Sequence, residues 1–138
     1  MIDREQISVM VKDVQRYLSD LSEMDIPKKE AFSNKETFYA VSMVVFAVMN
    51  RVIDIANELI SGSEDIPVPG TYSESFELLL KNKMIRAETA SDMAKLMRYR
   101  NIIAHEYYRL SSDELFRLKK DIYKAENFLQ DIKKHLKG

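Results

Sequence analysis

An all-α bundle is the fold class this sequence predicts, and three observations predict it. Apolar residues recur at three- and four-residue spacing through most of the chain. Leu, Met, Ala, Glu and Lys, all good helix formers, are abundant. Three glycines and three prolines are too few for the many tight turns of a β-rich protein. A chain of 138 residues, 46% apolar and 31% charged, suits one core, so residues 1–138 are read as one domain.

Ile7, Met10, Val11, Val14, Leu18 and Leu21 mark a first helix from about Asp3 to Glu23, with a single apolar stripe. The segment around Pro27 interrupts it. Ser33 with Glu36 three residues later has the form of a capping box opening a second helix that runs to about Ile60, before Gly62. Phe38, Val41, Val45, Phe46, Val48, Met49, Val52, Ile53, Ile55, Ala56 and Leu59 cover more than one face of it. That is too much for one neighbour, so this helix is either central to the bundle or part of a subunit interface.

Ser61 to Gly70, with Pro67 and Pro69, reads as a loop within the domain. Thr71 and Glu74 make a second capping box, opening a short third helix with Phe76, Leu79 and Leu80 that ends near Asn82; Ile85 would pin the turn. A fourth helix begins between Ala87 and Ser91 and carries Met93, Leu96, Met97, Ile103 and Ala104. Ser111 and Glu114 repeat the capping box before a last helix with a sustained stripe of Leu115, Leu118, Ile122, Ala125, Leu129, Ile132 and Leu136. The expected architecture is an antiparallel bundle of four long helices plus a short one.

Composition excludes several classes of function. There is no cysteine, hence no disulfide framework or thiolate metal site, which fits a reducing cytoplasm. No uninterrupted apolar run approaches the roughly 18 residues of a membrane span. The acidic start Met1-Ile2-Asp3-Arg4-Glu5 is unlike a signal peptide, so the expected location is cytoplasmic, with no membrane partner. A net charge of −1 offers nucleic acid no global attraction. A local patch is available: between Ser91 and Leu110, Lys95, Arg98, Arg100 and Arg109 outnumber Asp92 and Glu106, although a solvated face of mixed charge reads the same way. His105 and His135, without Cys or a His-Glu-x-x-His pattern, make no metal site. Met43, Met49, Met93 and Met97 read as core filling, and His135, beside Lys133 and Lys134, as a solvent-facing or dipole-capping residue. No glycine-rich phosphate loop is present.

Chemistry concentrates in Arg100-Asn101-Ile102-Ile103-Ala104-His105-Glu106-Tyr107. Arg100 stands where the stripe of the fourth helix would place its next hydrophobe, and a guanidinium there must be paired or face a cleft. His105 lies five residues on, roughly 140° around and about 7.5 Å along an ideal helix. Asn101, four residues before His105, can share its face. Arginine offers a planar fork to phosphate oxygens and histidine exchanges a proton near neutral pH. RNA cleavage by its own 2'-hydroxyl needs a base, an acid and a cation for the charged phosphorane. One chain supplies a single well-placed histidine, so a two-fold dimer uniting two motifs is the mechanistic expectation. A purely structural bundle, with Arg100 paired to a buried carboxylate such as Asp54, is the plainest alternative.

The run Met97 to Tyr107 resembles the Arg-x-x-x-x-His-x-Tyr motif of HepT-like toxins in the HEPN superfamily. The resemblance extends to the long apolar helix, the Pro-containing loop leading to Tyr72-x-x-x-Phe76-x-x-Leu79, and the final amphipathic helix. It implies a HEPN-like fold and the toxin of a type VII toxin–antitoxin system: a metal-independent RNA endonuclease, requiring no cofactor and working as a homodimer. Arg100 and His105 would be the catalytic pair and Asn101 would help fix their geometry. The implied partner is an MntA-like nucleotidyltransferase antitoxin that uses ATP and magnesium to transfer AMP onto the motif tyrosine, Tyr107. Tyr99 and Tyr108 are neighbouring phenols, but the motif offset selects Tyr107. Some relatives of this kind serve as non-catalytic helical partners that dock or present substrate to a nucleotidyltransferase, the alternative reading for this chain. Intact Arg100, His105 and Tyr107 favour the toxin.

Overall fold

The computed structural model describes residues 1–106 and 109–138, and all its regular elements are helical. Helices α1 (Arg4–Glu23), α2 (Lys35–Ser61), α3 (Tyr72–Lys81), α4 (Ala87–Glu106), α5 (Ser112–Asp121) and α6 (Ala125–Lys137) follow in order. A 3₁₀ turn, Lys29–Ser33, precedes α2, and another, Ile122–Lys124, joins α5 to α6.

The six apolar residues predicted for α1 are its buried residues, and Asp3 caps it by accepting from the Gln6 N–H. Helix α2 is the centre of the bundle. It packs along α1 and also touches α3, α4, α5 and α6, which is why it is apolar on more than one side. Its length and mean hydropathy of 1.6 over 18 residues would suffice for a membrane span, but 44% of that window is buried within the fold, as befits a core helix.

The start of α2 departs from expectation. Ser33 closes the 3₁₀ turn, its hydroxyl donating to the Glu30 carbonyl, and the cap shifts to Asn34, whose side chain accepts from the Thr37 N–H. The Ser33–Glu36 capping box is therefore not formed; asparagine one residue later is an equally good cap. The other two boxes form as predicted, Thr71 with Glu74 and Ser111 with Glu114, each with reciprocal side-chain and backbone bonds.

Gly62 ends α2 at a close approach. A Cβ there would lie 2.8 Å from the Ile2 backbone and side chain, so only glycine lets the chain entering α1 cross the end of α2. The Asp3 N–H donates to Glu58 across that crossing.

The predicted single last helix is two, broken at Ile122–Lys124. No Gly or Pro marks the break, and Ile122 and Ala125 stay fully buried through it, so the apolar stripe runs on unaltered. Phe128, which the stripe omitted, is fully buried and meets Phe76 edge to face at 5.9 Å. Two more assignments change. Met43 is 67% exposed rather than core filling, whereas Met49, Met93 and Met97 are buried. Ala104 is exposed and Ile103 half-buried, because α4 leaves the core in its last turns.

Candidate active site on α4

Helix α4 is anchored from a distance at its first turn. Asp131 of α6 accepts from the Arg86 backbone N–H at 3.0 Å and from its Nε at 2.9 Å, satisfying a helix-start donor that the local sequence leaves open. Burial pushes the Asp131 carboxyl up, but the Arg86 backbone N–H, the adjacent Thr89 hydroxyl and the Arg86 guanidinium together hold it below the usual carboxylate range. Thr89, buried and outside strict hydrogen-bond geometry, lies against that carboxylate. Met93, Leu96 and Met97 then fix the rotation of α4 on the core.

That rotation turns Arg100, half-buried, toward α2 and α3. Its Nε donates to Asn50 Oδ1 at 3.1 Å and its Nη1 to Asn101 Oδ1 at 3.4 Å. Its guanidinium lies 5.4 Å from the Phe46 ring centroid and 5.1 Å from that of Tyr72. The expectation of a paired arginine at a cleft is met, though by neutral amide and aromatic partners. Asp54 is not the partner: it bonds Arg51 at 2.6 Å, and Arg51 reaches on to Asp13 of α1 at 3.1 Å. The Asp54 hydrogen bond outweighs burial and raises the Arg51 pKa, so this guanidinium stays charged. Phe46, read from the sequence as a core position, is half-buried against Arg100 instead.

Two neighbouring clefts lie beside these residues. One, of about 480 Å³, is lined by Arg100, Asn50, Arg51, Asp54, Asn57 and Tyr72 among others. The other, of about 920 Å³, lies between the end of α2, the 62–71 loop and α3, with Asn101 on its wall. Asn57 and Tyr72 line both.

His105 occupies the last turn of α4, exposed, and lines neither cleft. With Arg98 and Asn101 it forms an exposed row at spacings of three and four, while Arg100 points off to one side. A single chain thus brings Arg100 and Asn101 together and leaves His105 on a neighbouring face. Tyr107, expected as the AMP acceptor, and Tyr108 lie outside the described residues. Of the local cations, Arg109 pairs with Glu106 at 2.8 Å and Asp92 lies 3.9 Å from Lys124, leaving Lys95, Arg98 and Arg100 without an ion-pair partner among the described residues. The described residues also hold no cluster of three His, Asp or Glu able to ligate a metal. Asn50, Phe46 and Tyr72 were missed by sequence reasoning. Asn50, a polar residue within the apolar α2, was the one signal that could have pointed to them.

This all-α bundle, carrying an Arg–Asn pair at a cleft, has a HEPN-like fold. The chain belongs to the ribonuclease HepT-like family, whose model matches residues 10–132. It is 26% identical over 99 residues to the candidate RNase YutE of Bacillus subtilis strain 168, over 72% of this chain and 66% of that protein. It is 34% identical over 61 residues to the mRNA nuclease HepT of Shewanella oneidensis, over 44% of this chain and 45% of that protein. The aligned stretches span less than two thirds of either relative's length. Among solved structures, the fold is similar to YutE of Bacillus subtilis, described as a cytosolic protein of unknown function, with a TM-score of 0.85 and 20% identity over 98% of this chain and 91% of that one. It is also similar to a chain of a toxin–antitoxin complex with AMP-PNP, with a TM-score of 0.83 and 20% identity over 92% of this chain and 96% of that one.

Proposed function

We propose that this chain is the toxin of a type VII toxin–antitoxin pair, a cytoplasmic, metal-independent RNA endonuclease acting as a homodimer. The observation that carries the reading is Arg100: a guanidinium held by Asn50 and two aromatic rings on the wall of a cleft, in a chain of a ribonuclease family. A phosphate seated there receives a preoriented cation, and Asn101 steadies it. His105 takes the proton of the RNA 2'-hydroxyl as that oxygen attacks phosphorus. The bond to the 5'-oxygen breaks, and the histidine of the second copy returns a proton to the leaving oxygen. The products are a 2',3'-cyclic phosphate and a 5'-hydroxyl. Separation of His105 from Arg100 within one chain supports the dimer, since a second copy is then needed to complete the cleft.

The relative of the same fold in a toxin–antitoxin complex supports an antitoxin partner. In this reading that partner is an MntA-like nucleotidyltransferase that uses ATP and magnesium to transfer AMP to the Tyr107 hydroxyl, releasing pyrophosphate. The added bulk and negative charge would repel RNA.

Purified His105→Ala and Arg100→Ala should each lose about 10²-fold or more in RNA cleavage while keeping the helical circular dichroism of the parent. Unchanged cleavage by His105→Ala would remove the catalytic assignment. Tyr107→Phe should cleave RNA yet escape AMP transfer; label entering that variant would place the acceptor elsewhere. The exposure of His105 away from both clefts favours one second reading, a non-catalytic partner of a nucleotidyltransferase. That reading is correct if the wild-type protein binds the enzyme but cuts no RNA.

A further inference from the structure

The two clefts, which share Asn57 and Tyr72, differ in charge. The smaller is lined by Arg51 and Arg100 against Asp54, a net excess of one cation, and suits a phosphate. The larger has Glu64 on its wall and no cation among the described residues that line it, which makes it a poor place for phosphate and a suitable one for a neutral group. Its remaining surface combines apolar side chains, Ile66 and the 92% exposed Val68 among them, with two primary amides on different helices, Asn57 of α2 and Asn101 of α4. Asn57 is exposed and its side chain makes no hydrogen bond among the described residues; the Asn101 side chain only accepts the long bond from Arg100. An unengaged amide presents a donor and an acceptor side by side, the pattern that pairs with a base edge. Tyr72, on the boundary of both clefts, offers a ring beside which a base can stack.

We propose that the cleft between the end of α2, the 62–71 loop and α3 is a nucleobase subsite, taking the base of the nucleotide next to the phosphate on Arg100, with Asn57 as its specificity-determining residue. A single-stranded substrate fits this arrangement: its backbone would lie over Arg100 while one base turns away from it, past Tyr72, into the cleft that holds no cation among its described lining. The cleft volume of about 920 Å³ is ample for a nucleoside. The inference rests on the ribonuclease reading, and its test separates the two.

The four nucleoside 5'-monophosphates would be titrated into the wild-type protein and followed by NMR. At least one should shift the Asn57 side-chain amide together with Val68 and Tyr72, and the Val68 and Tyr72 shifts should be markedly smaller in Asn57→Ala. In parallel, cleavage of oligoribonucleotides varied at single positions should show a base preference next to the cut, flattened about tenfold in kcat/KM ratio by Asn57→Ala. Asn57 is exposed, so the variant should fold. Binding at Asn57 in a protein that cuts no RNA would support the subsite and overturn the ribonuclease reading. Cleavage dependent on Arg100, with no shift at Asn57 and the same base preference in Asn57→Ala, would overturn the subsite and keep the ribonuclease. Absence of both binding and cleavage overturns both.

Discussion

Arg100 illustrates how a cation can stand at a half-buried position without a carboxylate. An ion pair would neutralise it and make it a poor phosphate ligand; an amide oxygen and two ring faces satisfy its donors and shield its flanks while leaving it positively charged. Asn50 is then a positioning residue, acting through Arg100. Asn50→Ala should lower cleavage roughly tenfold to a hundredfold with little change in stability, because a misplaced guanidinium loses much of its effect on the transition state. Asn50→Asp should be worse for RNA binding than Asn50→Ala at low salt, since it would neutralise Arg100. Equal salt dependence in the two variants would show that Arg100 carries no charge to the substrate. Residue-scale chemistry was legible where spacing suffices: the arginine out of place in a stripe, and the asparagine beside it. Its partners were not, because Asn50, Phe46 and Tyr72 lie 28 or more positions away in sequence and meet it only through packing.

At the scale of elements, α4 is aimed by what holds its start. Asp131 grips Arg86 from α6, and its folded-state pKa is depressed. A depressed carboxyl contributes stability that is present above its unfolded pKa of about 3.9 and lost as pH falls through the lower folded value. Asp131→Asn should therefore reduce stability by about 1–2 kcal/mol at pH 7, a figure discounted because the Arg86 side chain is 59% exposed. The difference from wild type should shrink below about pH 4. Urea unfolding at pH 7 and pH 3 checks this; an unchanged gap would mean that the anion is not what anchors α4. The capping boxes at Thr71 and Ser111 were readable because each is written within four residues. The shift from Ser33 to Asn34 and the break at Ile122 were not, because both sequences are locally acceptable either way and tertiary packing chose.

For the whole molecule, α2 is the axis on which α1, α3, α4, α5 and α6 are placed, and the site is assembled from α2, α3 and α4 at one side of it. A chain that leaves His105 outside both clefts needs a second copy to complete the proposed chemistry. Sedimentation equilibrium should show a dimer at the concentrations where RNA is cut. Adding excess His105→Ala chains to the wild type should suppress cleavage if the two copies share a cleft, because each mixed dimer then lacks one of the two histidines. A strict monomer with full activity would rule out the shared site.

By itself the sequence determined the helical class, the apolar faces, two of the three caps expected for internal helices and the residues of the motif, because periodicity, capping and spacing are local properties written within a few turns. Only the tertiary structure decided that Arg100 is held by Asn50, Phe46 and Tyr72 rather than Asp54, and that Asn57 lines both clefts. It likewise decided that His105 stands apart from them. Those relations depend on how α4 is rotated against α2 and α3, and that rotation is set by the packing of Met93, Leu96 and Met97 and by the grip of Asp131 on the helix start.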